Sequence, residues 1–429
     1  MKILSFVFFI FGVFIVLMSS FSDNKLLLAF IFLLSQGFSC LFLLQHQGKG
    51  LDFKDIRLVF VFVLLIYTTF YPLVVLMGFL YVPEFLDTTV YLFGTSFTGL
   101  YLAFVLFPSK LIYLNPTTNI KRFRVNPVVF NTMFFGLFII LLIKRGIPLV
   151  AASNELSRTE IFETHSQLWV VLMMMINASS IFIIRNFYRL NVLSKSVFIL
   201  TTCSFILVHA QMGNRRDYLP IILSAICFYL FNKKVKINLK LTVISIFLFI
   251  FSFWISISRN KSARSLSNSN KIELAISSNE FIYPIQTLLF VIRDNYDFRY
   301  GETYLFLPLQ FIIPRAIYPS KPMGLGSELV VNSTGGGQGY AYTPTTEAYL
   351  NFGYIGPFVV FFFFGIFLIN LVRSVSAQGN LIIYIIFYSL IFDFMRGDFA
   401  SFTYQLLVML VIVEFYKLIQ IKYLNEINT

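Results

Sequence analysis

Apolar stretches of bilayer length alternate with short polar linkers along the whole chain. Runs such as Ile3–Phe21 and Leu58–Leu80 carry no charged residue over a length that crosses a hydrocarbon core of about 30 Å. Windows of this kind start near Ile3, Leu26, Leu58, Thr88, Val128, Leu168, Ser196, Tyr218, Leu241, Gly353, Leu381 and Phe402. They predict an all-α, polytopic membrane protein with about 12 transmembrane helices. The first run has no small-residue cleavage site and leads straight into the second, so it reads as a retained span and not a signal peptide.

Two linkers are long, Lys144–Gln167 and Arg259–Phe352. The expected organisation is therefore nine spans over 1–258, a large loop over 259–352, and three spans over 353–429. Within the large loop, Phe281–Ile292 and Tyr304–Ile313 are apolar but too short to span, so both are expected to be interfacial or re-entrant helices at the outer surface. Pro314, Pro319 and Pro322, then Gly335-Gly336-Gly337-Gln338-Gly339, break regular structure beyond them.

Composition agrees with the pattern. Of 429 residues, 58% are hydrophobic and 12% charged, with 54 Phe and a mean hydropathy of +0.79, values that exclude a soluble globule. The net charge of +13 would suggest nucleic acid if it lay on one soluble face. It is instead sorted by topology. With both termini in the cytoplasm, the inward linkers hold 18 Lys and Arg against three acids, whereas the outward segments hold 15 basic and 16 acidic residues. Nucleic-acid binding loses its support, and the large loop is expected on the outer side of the membrane, facing the periplasm or cell exterior. Cys40, Cys203 and Cys227 lie inside apolar runs and read as small core residues. His46, His165 and His209 fall in separate segments, so no zinc site is expected, and no phosphate-binding Gly-rich loop with its Lys is present.

The outward arginines carry the chemical information. The insertion bias disfavours basic residues in short outer loops, yet Gly213-Asn214-Arg215-Arg216-Asp217 places two arginines in such a turn. Arg145, Arg158, Arg259, Arg264, Arg293, Arg299, Arg315 and Arg396 lie on the same side. Forked, bidentate contacts to phosphate oxygens suit arginine, and Arg215, Arg216 and Arg315 are the foremost candidates. Pairing with adjacent acids, as in Arg216/Asp217, Arg293/Asp294 and Arg396/Asp398, is the bland alternative. Tyr283, Tyr296, Tyr300, Tyr304, Tyr318, Tyr340, Tyr342, Tyr349 and Tyr354 lie in or beside the large loop. They suit either an interfacial belt or stacking on a sugar.

The series Tyr300-Gly301-Glu302-Thr303-Tyr304, Ile313-Pro314-Arg315, Tyr318-Pro319-Ser320-Lys321-Pro322 and Thr346-Glu347-Ala348-Tyr349-Leu350-Asn351-Phe352-Gly353-Tyr354-Ile355-Gly356 resembles the large-loop signature of Wzy-type polymerases. These bacterial membrane glycosyltransferases of GT-C type make O-antigens and related capsules. Gly146-Ile147-Pro148-Leu149 with Arg158, and Gly213–Arg216, are similar to further elements of that family. The resemblance implies joining of undecaprenyl-diphosphate-linked repeat units on the outer face of the membrane. It also implies no nucleotide sugar or other cofactor, and a chain-length regulator as partner. O-antigen ligases share the architecture but usually carry a histidine in the large loop, and Arg259–Phe352 has none.

Such a transfer needs cations on the leaving diphosphate and a base at the acceptor hydroxyl. On the resemblance, Arg215, Arg216 and Arg315 take the diphosphate, with Lys321, Arg264 and Arg158 behind them. Glu347 is the chosen base and Glu302 its alternative, while Tyr349 and Tyr304 bind sugar. The competing role for Glu347 is stabilisation of the helix N-terminus at the tenth span. The rival function is a flippase or transporter for lipid-linked oligosaccharides, disfavoured because only Glu414 lies well inside a span and the two halves do not match.

Overall fold

The computed structural model describes residues 1–19, 22–48, 50–109, 126–144, 156–211, 215–232, 281–313, 317–334, 341–378 and 381–427. Among them every regular element is helical: α1 (Lys2–Met18), α2 (Lys25–Gly48), α3 (Ile56–Leu76), α4 (Leu86–Leu106), α5 (Pro127–Lys144), α6 (Leu156–Arg185), α7 (Val192–Gln211) and α8 (Arg215–Asn232). After 281 follow α9 (Tyr283–Arg293), α10 (Glu302–Ile312), α11 (Leu325–Thr334), α12 (Pro344–Phe352), α13 (Gly356–Gln378), α14 (Leu381–Ser389), α15 (Ile391–Arg396) and α16 (Phe399–Ile427). Eight helical runs among the described residues are long and apolar enough to cross a membrane. The protein is thus a helical, multi-pass membrane protein. The span expected from Leu241 and the start of the large loop lie outside the described residues.

One apolar stretch differs from expectation. The run from Leu381 is not one helix: it turns at Leu390 between α14 and α15, and every residue of Leu381–Ile391 except the half-buried Ile383 is buried by protein. Its hydrophobicity reflects a packed interior as much as contact with lipid. The stretch around Phe281–Ile292 forms the short helix α9 and packs Ile285, Leu288, Leu289, Val291 and Ile292 into the protein. The other short helix, α10, leaves Leu305, Phe306 and Leu309 exposed, which suits an apolar interface.

Local chemistry sets the helix ends. Asp55 caps α3 by accepting the Arg57 N–H. The same helix stops at Met77–Phe79, where Gly78 takes φ +77° and the Gly78 and Phe79 N–H groups return to the Val75 and Val74 carbonyls, a Schellman closure that glycine permits without strain. Arg57 is 0% exposed. It forks onto Asp55 (Nε–Oδ1 2.9 Å, Nη2–Oδ2 2.6 Å) and donates to Ser109 and Gln47, joining α3 to the ends of α2 and α4. The Tyr384 hydroxyl of α14 closes the same end through the Ile56 N–H and the Lys54 carbonyl.

Packing follows the abundance of Phe. Phe364 stacks on Phe394 at 4.6 Å and tilts against Phe60 at 4.7 Å, joining α13, α15 and α3. Where α4 crosses α13, a Cβ on Gly99 would sit 2.3 Å from the Phe358 carbonyl oxygen, and one on Gly365 would sit 2.6 Å from the Ala103 Cβ. Small residues let the backbones close to this distance, which substitutes for the missing hydrophobic drive within lipid. Among α5, α6 and α7, Asn131 bonds Ser179 (2.7 Å), Ser180 (3.1 Å) and Thr201 (3.4 Å), an interhelical polar tie.

Candidate functional site

The large-loop signature folds around α12. Thr343 caps this helix by accepting the Thr346 N–H at 3.1 Å, Pro344 occupies the first turn, and every residue from Pro344 to Asn351 is buried. Glu347, in the first turn of this helix, is 1% exposed. Its Oε2 accepts the Phe399 N–H at 2.7 Å at the first residue of α16. The Thr303 hydroxyl lies beside the carboxylate, whose Oε1 completes no well-formed hydrogen bond among the described residues. A second buried carboxylate adjoins it: Asp398 accepts Ser401 N–H through Oδ1 (2.7 Å) and Leu325 N–H through Oδ2 (2.9 Å). The starts of α11 and α16 thus face two carboxylates, where the positive helix ends stabilise negative charge. Glu347 lies in the first turn of α12, as its helix-end role expects, and its carboxylate also meets the start of α16.

Asn351 locks the loop before α10 onto this centre. It donates Nδ2–H to Thr303 Oγ1 (2.6 Å) and to the Glu347 carbonyl (2.7 Å), and its Oδ1 accepts the Gly301 N–H (2.9 Å). Gly301 itself stands at φ +89°, and the Arg299 N–H reaches the Leu350 carbonyl at 2.9 Å. Above this junction opens a cavity of about 210 Å³ lined by Arg299, Glu302, Thr303, Tyr318, Ser320 and Glu328, among others. Thr303 belongs both to this cavity and to the surroundings of Glu347. The Arg299 guanidinium binds Glu328 and approaches Glu302 at 3.5 Å. Burial of Arg299 opposes its charge, but these two carboxylates outweigh it and hold its pKa above the usual value.

The sequence candidates divide clearly. Glu347, Glu302, Tyr304 and Tyr349 come together around α10 and α12. Tyr304 stacks on Phe352 and meets Phe399 edge to face at 5.2 Å. Burial pushes its phenol pKa well up, and the Glu347 carboxylate adds to the shift; Tyr342 is raised by the same two causes. Tyr349 packs edge to face against Phe298 and Tyr354 and is largely buried, and neither it nor Tyr304 lines the cavity. Lys321 turns inward: Nζ donates to the Phe311 and Ile313 carbonyls at 2.6 and 3.1 Å and lies over the Phe311 ring. This closes the C-terminal end of α10, whose negative dipole attracts a cation, and is a use other than the expected diphosphate contact. Arg158, Arg215 and Arg216 lie in α6 and at the start of α8, with side chains outside the described residues, as are Arg264 and Arg315 entirely.

Nothing in the sequence assigns a site role to Arg299, Thr303, Asn351 or Asp398. Arg299 is one of ten outward arginines in the sequence, and Asp398 has the adjacent Arg396 as its alternative partner. Its two oxygens are used by backbone N–H groups instead. Among the described residues no three His, Cys, Asp or Glu gather as metal ligands. Comparison of the chain with protein-family models, with curated proteins and with solved structures gives no match.

Proposed function

We propose that this protein polymerises undecaprenyl-diphosphate-linked oligosaccharide repeat units into an O-antigen or capsular polysaccharide at the outer face of a bacterial cytoplasmic membrane. The carrying observation is the buried Glu347 carboxylate, fixed by the Phe399 N–H and joined through Thr303 to the cavity beneath Arg299. Its segment is the one whose sequence resembles the Wzy-type loop. In this reading Glu347 takes the proton of the acceptor hydroxyl. The freed oxygen forms a bond to the anomeric carbon of the growing chain, and the bond from that carbon to the lipid diphosphate breaks. Arginines stabilise the departing diphosphate, with Arg215, Arg216 and Arg315 in that role and Arg264 and Arg158 behind them. Glu302, exposed and near Arg299, remains the alternative base. A chain-length regulator is the expected protein partner.

A transport reading has one observation in its favour, the buried break between α14 and α15, since discontinuous helices line binding sites in many transporters. One experiment separates the two. Purified protein in lipid vesicles, supplied with an undecaprenyl-diphosphate repeat unit, should build a ladder of products that lengthens by whole units. Movement of the intact glycolipid between leaflets without any ladder would replace polymerisation by transport.

A further inference from the structure

Buried polar groups at one end of α5–α8 are unused by the chemistry above. His209, 0% exposed near the end of α7, sits among the rings of Phe138 from α5, Trp169 from α6 and Phe205 from its own helix, with ring centres 5.2, 5.8 and 4.4 Å away. Its Nδ1 lies 3.1 Å from Asp217 Oδ2 in the first turn of α8. The two atoms lie within ion-pair distance without completing a hydrogen bond. A second anchor reaches the same residue from α6: Asn177, also fully buried, donates Nδ2–H to the Asp217 carbonyl oxygen at 2.9 Å. Asp217 is held from two neighbouring helices, once by its carboxylate and once by its main chain.

Arg215 and Arg216 open α8 immediately before Asp217. A hydrogen-bonded first turn moves as a unit, so whatever places Asp217 also places these two backbones. An apolar residue would fill the aromatic box around position 209 as well as imidazole does. Burying the imidazole carries a desolvation cost that the Asp217 contact offsets, and the same holds for the Asn177 amide. We propose that His209 and Asn177 are positioning residues that act through Asp217 to hold the arginine pair at the start of α8 in register for the lipid diphosphate. Forked guanidinium contacts to phosphate depend on such alignment. The inference rests on the reading of Arg215 and Arg216 as diphosphate ligands.

The test is binding of undecaprenyl diphosphate to the full-length protein in lipid nanodiscs, with folding followed by thermal unfolding. Removing one anchor, as in His209→Leu or Asn177→Leu, should raise Kd about five- to tenfold, the size of one lost polar contact. His209→Gln keeps an N–H within reach of Asp217 and should return Kd to within about twofold of the parent. A purely structural role predicts the opposite order, because Leu packs among three rings better than Gln. Gln binding no tighter than Leu overturns the proposal. If His209→Leu does not fold, Asn177→Leu carries the comparison alone, and unchanged binding there overturns it equally. Arg215→Gln and Arg216→Gln separate the premises. If they leave Kd unchanged, the diphosphate assignment fails together with this inference. If they raise it while both Leu variants bind normally, the positioning role alone fails, and the product ladder still judges polymerisation.

Discussion

At the residue scale, the contact of Glu347 with the start of α16 makes its two roles separable by substitution. Glu347→Gln keeps the shape and an oxygen to accept the Phe399 N–H, so the fold should survive while the base is lost. Ladder formation should then fall by about 10²- to 10⁴-fold, the usual contribution of a positioned acid or base. Glu347→Ala removes the base and also orphans the Phe399 N–H, which adds about 1–3 kcal/mol of instability. A Gln variant that polymerises normally in cells lacking their own polymerase would leave Glu347 a helix-end residue only and move the base to Glu302. That a carboxylate belonged in this loop was legible from the motif around it. Which N–H it would meet was not, because Phe399 lies 52 residues away in sequence and no local pattern joins the two.

Among the elements, the crossing of α4 and α13 is decided by glycine. Adding only a methyl group at Gly99 places it 2.3 Å from a backbone oxygen that cannot rotate away, so Gly99→Ala must push the helices apart. The expected loss is about 1–3 kcal/mol, typical of overpacking. Gly136 in α5 has nothing within 4 Å of an added Cβ, and Gly136→Ala should hold or raise stability by about 0.5–1 kcal/mol through helix propensity alone. Thermal unfolding of the two variants in the same detergent gives the comparison. Equal effects would show that the crossing tolerates a wider approach. Hydropathy located α4 and α13 well, because a span must be apolar whatever it touches. It missed the α14–α15 break, because a segment buried in protein has the same composition as one buried in lipid.

For the whole molecule, orientation is the prediction on which the site assignments depend. Tyr300, 83% exposed beside the candidate site, and Tyr188, 78% exposed in the linker between α6 and α7, fall on opposite sides of the expected topology. With the exposed Cys203 replaced by Ser, a cysteine at position 300 should react with an impermeant reagent from outside intact cells. One at position 188 should react only after lysis. The reverse result would place the signature loop in the cytoplasm, away from any outer-leaflet chemistry. The sequence by itself determined the helical membrane class, most span positions and the concentration of motif residues in one loop. These follow from the solvent and the local chain, since lipid demands apolar runs and charge sorts across the bilayer. Only the tertiary structure decided that Lys321 closes a helix, that Asp398 and Glu347 share the helix ends around α16, and that His209 meets Asp217. Each of these contacts depends on which helices lie side by side, and buried polar groups are satisfied by neighbours in space that sequence spacing does not encode.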